Sequence, residues 1–420
     1  MASSQLAEGL QLLKQPDFLK LFLAYLISYS GTAMAPIAMA FGVLELTGST
    51  RDSAFVLAAP ITAQIFIILL GGALADRTSR QRILVGSDLV AMGSQFVMAA
   101  LFLSGYATVP LLALFMLING CAAAFNVPAA TGFIPQMVDV KDLQSANALF
   151  GLARNSAITL GAAIAGVLVA NFGAGITLLI DAISFGFSGL LIASLRPRQQ
   201  TFPKHASIIE DIRLGWSEFI SHTWLWTIVL QFSLVVAGFE AVVVLIGPAV
   251  AKAHMDGAAD WGLISAGFGV GTLIGGLIAM RISVKRPMFF ASFLVFFFAL
   301  IPLALSVPLP VSMIISIAIV HGCAGSIFGV LWYTTMHKLI APEMLSRVSA
   351  FDHLGSIVLA PLGIVIAGFL YEIIGARETL FVIVATIVIP TICVLGVRDV
   401  RTLSTEEVDR RHRARTATSG

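Results

Sequence analysis

The chain has 420 residues, of which 58% are hydrophobic and only 11% are charged, and its formal net charge is +2. Because a soluble domain carries about 25% charged residues, this composition excludes a soluble globular protein and predicts one embedded in a membrane. The three cysteines all fall inside apolar runs, which indicates buried thiols rather than disulfides.

Twelve apolar runs, numbered here as spans 1 to 12, are long enough to cross a bilayer as helices. A spanning helix needs about 20 apolar residues. Several runs, such as 144–170, are rich in glycine and alanine, which allow close helix packing within a bundle. The sequence therefore predicts an all-α membrane protein of twelve transmembrane helices. The predicted spans are 18–44, 53–75, 83–104, 109–131, 144–170, 174–195, 223–251, 260–281, 287–307, 310–334, 347–371 and 378–397.

Lysine and arginine residues indicate which side of the membrane each connection faces, because cytoplasmic loops carry an excess of them. With both termini in the cytoplasm, 21 of the 25 basic residues lie on the inner side, three lie outside, and Arg154 lies within a span. One missed span would disrupt this alternation, so the distribution favours both the span count and the orientation.

The chain divides into five predicted segments around a polar linker. The linker contains Pro197 and Pro203 and ends in IIEDIRLGWSEFI, whose periodicity predicts an amphipathic helix. The segments are a cytoplasmic N-terminal segment (1–16), a first six-helix half (17–195), the cytoplasmic linker (196–222), a second six-helix half (223–398) and a charged cytoplasmic tail (399–420).

The two halves resemble each other at a nearly constant offset of 202 residues. Because six is an even number, corresponding spans enter from the same side. The halves are therefore predicted to be pseudo-symmetric parallel repeats, related by an axis along the membrane normal. The matching pairs are Gly120 with Gly322, Cys121 with Cys323, Ala122 with Ala324, Leu143 with Leu345, Ala148 with Ala350, Gly161 with Gly363, Gly166 with Gly368, and Gly173 with Gly375.

The charged loop between spans 2 and 3 lies in GGALADRTSRQRILVG, residues 71–86, and a weaker copy, GGLIAMRISVKRPMFF, begins at Gly275. The loop resembles the signature that major facilitator superfamily transporters carry at this place, although Thr78-Ser79 departs from the common pattern. The resemblance covers roughly residues 15–400. The segments IPQMVDVKDLQSANAL, DAISFGFSGLL and APEMLSRVSAF are similar to those of the enterobactin-exporter and macrolide-efflux branch. The resemblance implies a bacterial cytoplasmic-membrane protein.

The signature loop predicts a conformational latch on the inner side. Asp76 lies where it can accept hydrogen bonds from the free N–H groups that begin a neighbouring helix. The family resemblance implies span 11 as that neighbour. The alternative is that the arginines only orient the loop by their charge. The predicted latch residues are Gly72, Asp76, Arg77, Arg80, Arg82, Arg347 and Asp352.

Four ionisable residues in the spans are candidates for proton coupling: Glu240, Asp181, His321 and Asp88. A charge at the bilayer centre costs about 2.5–3.5 kcal/mol on insertion scales, so such residues are usually functional or paired. Glu240, near the middle of span 7 with no nearby cation in sequence, is the first candidate. The alternatives are a hydrogen-bonded structural carboxyl for Glu240 or Asp181, a salt bridge to the basic loop for Asp88, and a packed polar residue for His321.

Polar and aromatic residues near mid-membrane are the candidates for lining a substrate cavity, because repeat-built carriers bind substrates at this depth. Arg154, the one cation deep in a predicted span, needs an anion, and Asp88, Asp181 or a substrate could supply it. The cavity candidates are Tyr25, Tyr29, Gln64, Asn119, Arg154, Gln231, Glu240, His321 and Trp332.

The sequence contains no GxxxxGK[ST] or HExxH motif and no paired cysteine or histidine ligands. We therefore expect no ATP site, metal, cofactor or enzyme activity, and no nucleic-acid partner. The predicted function is a monomeric, proton-coupled exporter (antiporter) of amphipathic small molecules, such as drugs or siderophore-like compounds. Its partners would be the substrate, protons and membrane lipids. The alternatives are a proton-coupled importer of a small metabolite and, less favoured, a lipid scramblase or a non-transporting sensor.

Overall fold

The computed structural model describes residues 11–75, 78–139, 142–197, 208–408 and 410. Within these residues every regular element is a helix, which confirms the all-α prediction. The helices that carry the predicted spans are Pro16–Thr47, Thr50–Ala75, Arg80–Ser104, Val109–Phe133, Leu143–Ala193, Thr223–Ala241 with Gly247–His254, Ala258–Ala279, Pro287–Leu294 with Leu300–Leu305, Val311–Leu339, Pro342–Ile357 with Ala360–Ile374, and Ala376–Gly396. Short 3₁₀ segments Ile134–Gln136 and Val295–Ala299, the π-helix Val242–Ile246, the linker helix Ile208–Ser221 and the tail helix Arg398–Thr402 complete the order.

Ten helices in the described part of the chain are long and apolar enough to cross a membrane. One of them, Leu143–Ala193, contains both span 5 and span 6. Gly173 divides it with φ 76° and ψ 175°, a conformation open essentially to glycine alone. Span 2 is the helix Thr50–Ala75, which lies outside the set of ten. All twelve predicted runs are thus helical, while the number of membrane crossings stays a prediction.

Proline and glycine determine where several helices begin, end or change their winding. Pro16 occupies the first turn of span 1, and Gly48 ends that helix in the left-handed conformation with φ 67°. In span 7, Pro248 lacks an N–H group and cannot continue the regular hydrogen-bond ladder, and the preceding residues Val242–Ile246 form a π-helix.

The helices form two compact units. The first contains Met1–Pro203 and Gly247–Ala266, and the second contains Lys204–Ile246 and Gly267–Gly420. The segment 247–266, predicted as part of the second half, therefore packs within the first unit. There, Lys252 Nζ donates a 2.7 Å hydrogen bond to the Leu44 carbonyl in the last turn of span 1. The predicted segment boundaries stay a prediction.

Glycines of the 202-residue repeat lie where helices pack backbone against backbone, and equivalent glycines join equivalent spans. Gly120 joins span 4 to span 2, and its repeat partner Gly322 joins span 10 to span 8. Gly161 joins span 5 to span 1, and its partner Gly363 joins span 11 to span 7. A side chain would overlap the neighbouring backbone at each position, as small-residue helix packing requires. The contacts are Gly120 with Pro60, Gly322 with Phe268, Gly161 with Ser30, and Gly363 with Ala237.

The turn after spans 5 and 11 repeats as well. Gly375, the partner of Gly173, has φ 90° and ψ 171° and ends the helix Ala360–Ile374. Two equivalent glycines with nearly the same rare backbone conformation support a duplicated chain more strongly than sequence identity alone, because this conformation is essentially limited to glycine.

The amphipathic helix predicted at the end of the linker is present as Ile208–Ser221. In the second unit, Gly215 packs against the Cβ of Arg347, and the rings of Trp216 and Phe219 lie 5.4 and 6.0 Å from that of Phe351. The linker helix is therefore seated on the first turns of span 11, the region that the sequence assigns to the latch.

Candidate functional site

Span 3 carries polar residues in two layers of the first unit, seven residues or about two helical turns apart. In the layer nearer its N-terminus, Asp88 is 1% exposed. Asn126 of span 4 donates hydrogen bonds of 3.1 Å to Asp88 Oδ1 and 3.0 Å to Ser87 Oγ. Ser188 of span 6 also hydrogen-bonds Asp88. This layer therefore joins spans 3, 4 and 6 through a buried carboxyl.

The second layer has the same design. Gln95 Nε2 donates a 2.7 Å hydrogen bond to Asp181 Oδ2 of span 6, and Asp181 is 0% exposed. Ser184 lies 3.3 Å from Asp181 Oδ1, and Asn119 donates a 3.3 Å bond to Ser94. The two layers together are called the polar seam, which consists of Ser87, Asp88, Ser94, Gln95, Asn119, Asn126, Asp181, Ser184 and Ser188.

Span 1 approaches the second layer of the polar seam without a side chain between them. A Cβ placed on Gly31 would overlap Ser184 Oγ and Asp181 Oδ1. The backbone of span 1 is therefore in direct contact with the buried carboxyl.

Arg154 makes a different contact from the one predicted. Its side chain is exposed within the unit, and its guanidinium carbon lies 5.8 Å from the centre of the Tyr29 ring, a cation–π geometry. In the described part of the chain, no ion pair joins Arg154 to Asp88 or Asp181, whose partners are amides and hydroxyls. Two of the three predicted anions for Arg154 are therefore not its partners in this structure, and a substrate as its anion stays a prediction.

Tyr25, predicted to line the cavity, is only 5% exposed. Its hydroxyl donates a 3.3 Å hydrogen bond to the Ala130 carbonyl, and its ring packs edge-on against Phe150. Gln64 of span 2 and Asn119 are half-buried. Of these residues, Asn119 alone joins the polar seam.

In the second unit, His321 of span 10 is enclosed by three phenyl rings. The ring centres of Phe239, Phe268 and Phe298 lie 5.3, 5.2 and 4.5 Å from the imidazole centre, and His321 is 0% exposed. Neither ring nitrogen has a hydrogen-bond partner among the described residues. His321 thus lies inside the aromatic packing of spans 7, 8, 9 and 10 and does not line an open cavity of this unit.

Glu240 follows Phe239 in span 7, one residue before the helix Thr223–Ala241 ends and the π-helix begins. Its side chain is half-buried, and no hydrogen bond or ion pair joins it to another described residue. The structure therefore provides no structural partner for this carboxyl within the described part of the second unit.

Two other predicted cavity residues connect helices of the second unit. Gln231 is 1% exposed and donates a 2.8 Å hydrogen bond to Thr391 of span 12. Trp332 Nε1 donates a 3.1 Å bond to Asp352 Oδ2 of span 11. Trp332 also borders an aromatic pocket of about 220 Å³ between spans 7, 10 and 11. Its lining includes Ile228, Val229, Phe232, Phe328, Trp332, Tyr333, Asp352, His353 and Ser356.

Comparison with known proteins identifies the family of the chain. Residues 7–309 match the family described as transmembrane secretion effector. The chain belongs to this family of major facilitator superfamily transporters. It is 26% identical to the multidrug efflux pump Tap of Mycobacterium tuberculosis, over 94% of this chain and 95% of the pump. It is also 25% identical to the uncharacterized MFS-type transporter YkuC of Bacillus subtilis, over 82% of this chain and 83% of the relative.

Solved structures show the same fold. A bacterial homolog of the human lysosomal transporter Spinster, inward-facing and unoccupied, superposes with a TM-score of 0.71 at 14% identity, over 92% of this chain and 96% of that one. The nucleoside transporter NupG gives a TM-score of 0.69 at 13% identity, over 92% of this chain and 99% of that one. The major facilitator fold predicted from the sequence is therefore confirmed.

The predicted latch of this transporter is only partly visible. Asp76 and Arg77 lie outside the described residues, and Gly72 lies in the helix Thr50–Ala75. Arg80 donates to the Gly132 carbonyl near the end of span 4, and Arg82 is exposed. In the second unit, Arg347 Nη1 lies 3.3 Å from Met344 Sδ, and Asp352 accepts the Trp332 bond. Each unit thus holds some of the predicted latch residues in its own hydrogen bonds.

Three polar residues with clear structural partners were missed by reasoning from sequence. Gln95 and Asn126 bind the two buried carboxyls of the transporter, and Gln81 donates 2.8 and 2.9 Å bonds to the Ile192 and Leu195 carbonyls at the end of span 6. A usable signal was present for the polar seam, because polar residues recur at seven-residue spacing in spans 3, 4 and 6.

Proposed function

We propose that this transporter is a proton-coupled exporter of amphipathic small molecules that works by alternating access. The observation that carries the proposal is a membrane-depth carboxyl in each unit, Asp181 and Glu240, without a basic partner among the described residues. A carboxyl in an apolar span is costly when charged, so it favours a role in binding and releasing protons.

The likeness to the multidrug efflux pump Tap, which extends over nearly the whole chain, supports export and a drug-like substrate. The pocket beside Trp332 supports the same substrate class, because aromatic walls with a few polar groups suit an amphipathic ligand. Its volume of about 220 Å³ would hold part of a drug-sized molecule. We further propose a monomer in the bacterial cytoplasmic membrane. The distribution of basic residues supports an orientation with both termini inside.

Import of a small metabolite is the second candidate, because the major facilitator fold does not determine direction. The two alternatives differ in how movement responds to a pH gradient. An antiporter moves substrate against the direction of proton flow, whereas a symporter moves both together. A scramblase would move lipid regardless of the gradient.

Proteoliposomes with an imposed pH gradient test the proposed function. With protons more concentrated inside the vesicles, a labelled cationic dye or drug is expected to accumulate in them in exchange for protons. Its accumulation should disappear at equal pH or after addition of a protonophore. Protein-free vesicles control for passive partitioning. Accumulation only under the opposite gradient would support import, and gradient-independent movement of labelled lipid would support a scramblase. Either result would overturn the proposal.

We also propose that the signature loop acts as the inner latch, with Asp76 as its acidic group. If the latch forms as proposed, substituting Asp76→Asn would remove its charge-assisted hydrogen bond, a type that contributes about 1.5–3 kcal/mol. The inward-open to outward-open ratio is therefore expected to rise by about tenfold or more. Spin-label distances across the inner ends of the spans would measure it. Asp399→Asn, in the tail helix, is the matched control. An unchanged ratio with unchanged transport would show that the loop only orients the protein.

A further inference from the structure

We propose that Asp181 and Gln95 form a proton-binding pair in the first unit, in which the Gln95 carboxamide changes its bonding atom when Asp181 gains or loses a proton. The inference rests on the proposed proton coupling. It assigns the atom that binds the proton and the residue whose hydrogen bonding responds to it. Gln95 is a positioning residue in this scheme, because it acts through the carboxyl and holds no proton of its own.

In the pair, the Gln95 amide nitrogen has a hydrogen-bond partner, whereas its carbonyl oxygen has none among the described residues. Gln95 Nε2 donates to Asp181 Oδ2 at 2.7 Å, which satisfies a charged carboxylate. Gln95 Oε1 is buried and accepts no hydrogen bond from any described residue, and the whole side chain is only 2% exposed. A buried carbonyl without a donor costs free energy, so the site contains an acceptor that a new donor would satisfy.

A protonated Asp181 supplies that donor. When a proton binds to Oδ2, the carboxylate becomes an acid whose O–H group needs an acceptor. Half a turn of the Gln95 amide about its last torsion exchanges Nε2 for Oε1 with almost no change in shape. The Nε2 bond to Oδ2 is then broken, Nε2 takes the place that Oε1 held, and the acid donates to Oε1. Release of the proton to water reverses the exchange, and no other bond is made or broken.

No charged group next to the pair determines the proton equilibrium of Asp181. Span 3 contributes Asp88, one layer away, and span 1 contributes Tyr25 and Tyr29, with Arg154 over the Tyr29 ring. No basic side chain in the described residues lies within ion-pair distance of Asp181. The two layers are seven residues apart, about 10.5 Å along span 3, so direct proton transfer to Asp88 is excluded. Asp181 is therefore a single binding site.

Span 1 senses the exchange because its backbone at Gly31 is in contact with Asp181 Oδ1 and Ser184 Oγ. A carboxyl that is alternately charged and neutral changes the hydrogen bonds on one side of this contact. The pair thus links proton occupancy to the packing of spans 1, 3 and 6.

Infrared difference spectroscopy of the full-length protein in liposomes, titrated with pH in the absence of substrate, tests the pair. The wild type is expected to show carboxylic-acid C=O absorption that disappears as pH rises, and one component of it should be missing in Asp181→Asn but present in Glu240→Gln. In Gln95→Met the band should remain, with its midpoint moved by about one pH unit, or tenfold in proton affinity, because a charge-assisted bond is lost. Ser104→Ala, an exposed residue at the end of the same helix whose hydroxyl bonds only its own helix backbone, should keep the wild-type midpoint.

The inference is overturned if no band titrates, if Asp181→Asn removes no component of the titrating absorption, or if Gln95→Met keeps the wild-type midpoint of that component. Should Gln95→Met not fold, Gln95→Glu is the second variant. It is expected to add a further titrating carboxyl that shares a proton with Asp181, and an unchanged titration would count against the pair. A titrating band together with uncoupled transport would refute the proposed function alone. Coupled transport without such a band would refute this inference alone.

Discussion

Replacing Glu240 by glutamine is expected to reduce pH-driven transport to the level of protein-free vesicles while leaving the protein folded. Glutamine has nearly the same shape but cannot exchange a proton. Glu240 is half-buried and makes no hydrogen bond to another described residue, so its loss should leave the packing of span 7 intact. Transport in proteoliposomes and elution of the purified protein as a single peak would measure the two effects.

Substrate exchange without a gradient separates a coupling role from a binding role. If Glu240 only carries protons, Glu240→Gln should still exchange labelled for unlabelled substrate at equal pH. Glu240→Asp keeps the carboxyl and should retain part of the driven transport. Glu378→Gln, at the start of span 12, is the matched control and should transport like the wild type. Full pH-driven activity in Glu240→Gln would exclude Glu240 from the mechanism.

The local winding of span 7 supports this assignment. The π-helix Val242–Ile246 begins two residues after Glu240, and such wide turns occur frequently at functional sites. Pro248, which follows the π-helix, supplies no N–H group to the regular hydrogen-bond ladder. The carboxyl therefore lies beside a segment whose helical bonding is irregular.

Much of the fold could be predicted from the sequence, because its signals are local or repeated. Apolar runs of bilayer length gave the helices, and the 202-residue repeat gave equivalent glycines whose contacts agree in the two units. The positions of Gly173 and Gly375 are predictable in the same way, since only glycine tolerates their backbone conformation. The grouping of 247–266 with the first unit was not predictable, because it depends on contacts such as that of Lys252 with Leu44.

The candidate site was harder to predict because its partners come from several spans. The position of His321 in the sequence predicts a cavity residue, but three phenylalanines from spans 7, 8 and 9 surround it in the structure. Reasoning from charge alone suggested Arg154 as the partner of Asp181, whereas the partner is an uncharged amide. The spacing of residues within one helix cannot reveal which neutral side chain of a neighbouring helix faces a given carboxyl.

Adding a single methyl group at Gly271 is expected to destabilise the protein, whereas adding one at Gly276 of the same helix is not. A Cβ at Gly271 would overlap the backbone of Ile319 in span 10, and a backbone cannot move aside as a flexible side chain can. A Cβ at Gly276 would meet only Ser326 Oγ at 3.5 Å, an ordinary contact. The two glycines thus provide a matched pair within the second unit.

Overpacking of this kind costs about 1–3 kcal/mol, and Gly271→Val should cost more than Gly271→Ala. Gly276→Ala should be neutral or stabilising by up to about 1 kcal/mol, because alanine favours a helix over glycine. Thermal unfolding in detergent, monitored by the loss of the monodisperse elution peak, would measure the midpoint of each variant. The midpoint should fall in Gly271→Ala and stay equal or rise in Gly276→Ala. Equal midpoints for Gly271→Ala and Gly276→Ala would contradict the close approach of spans 8 and 10. A lower midpoint for Gly271→Ala alone would show that these spans require a glycine at their crossing.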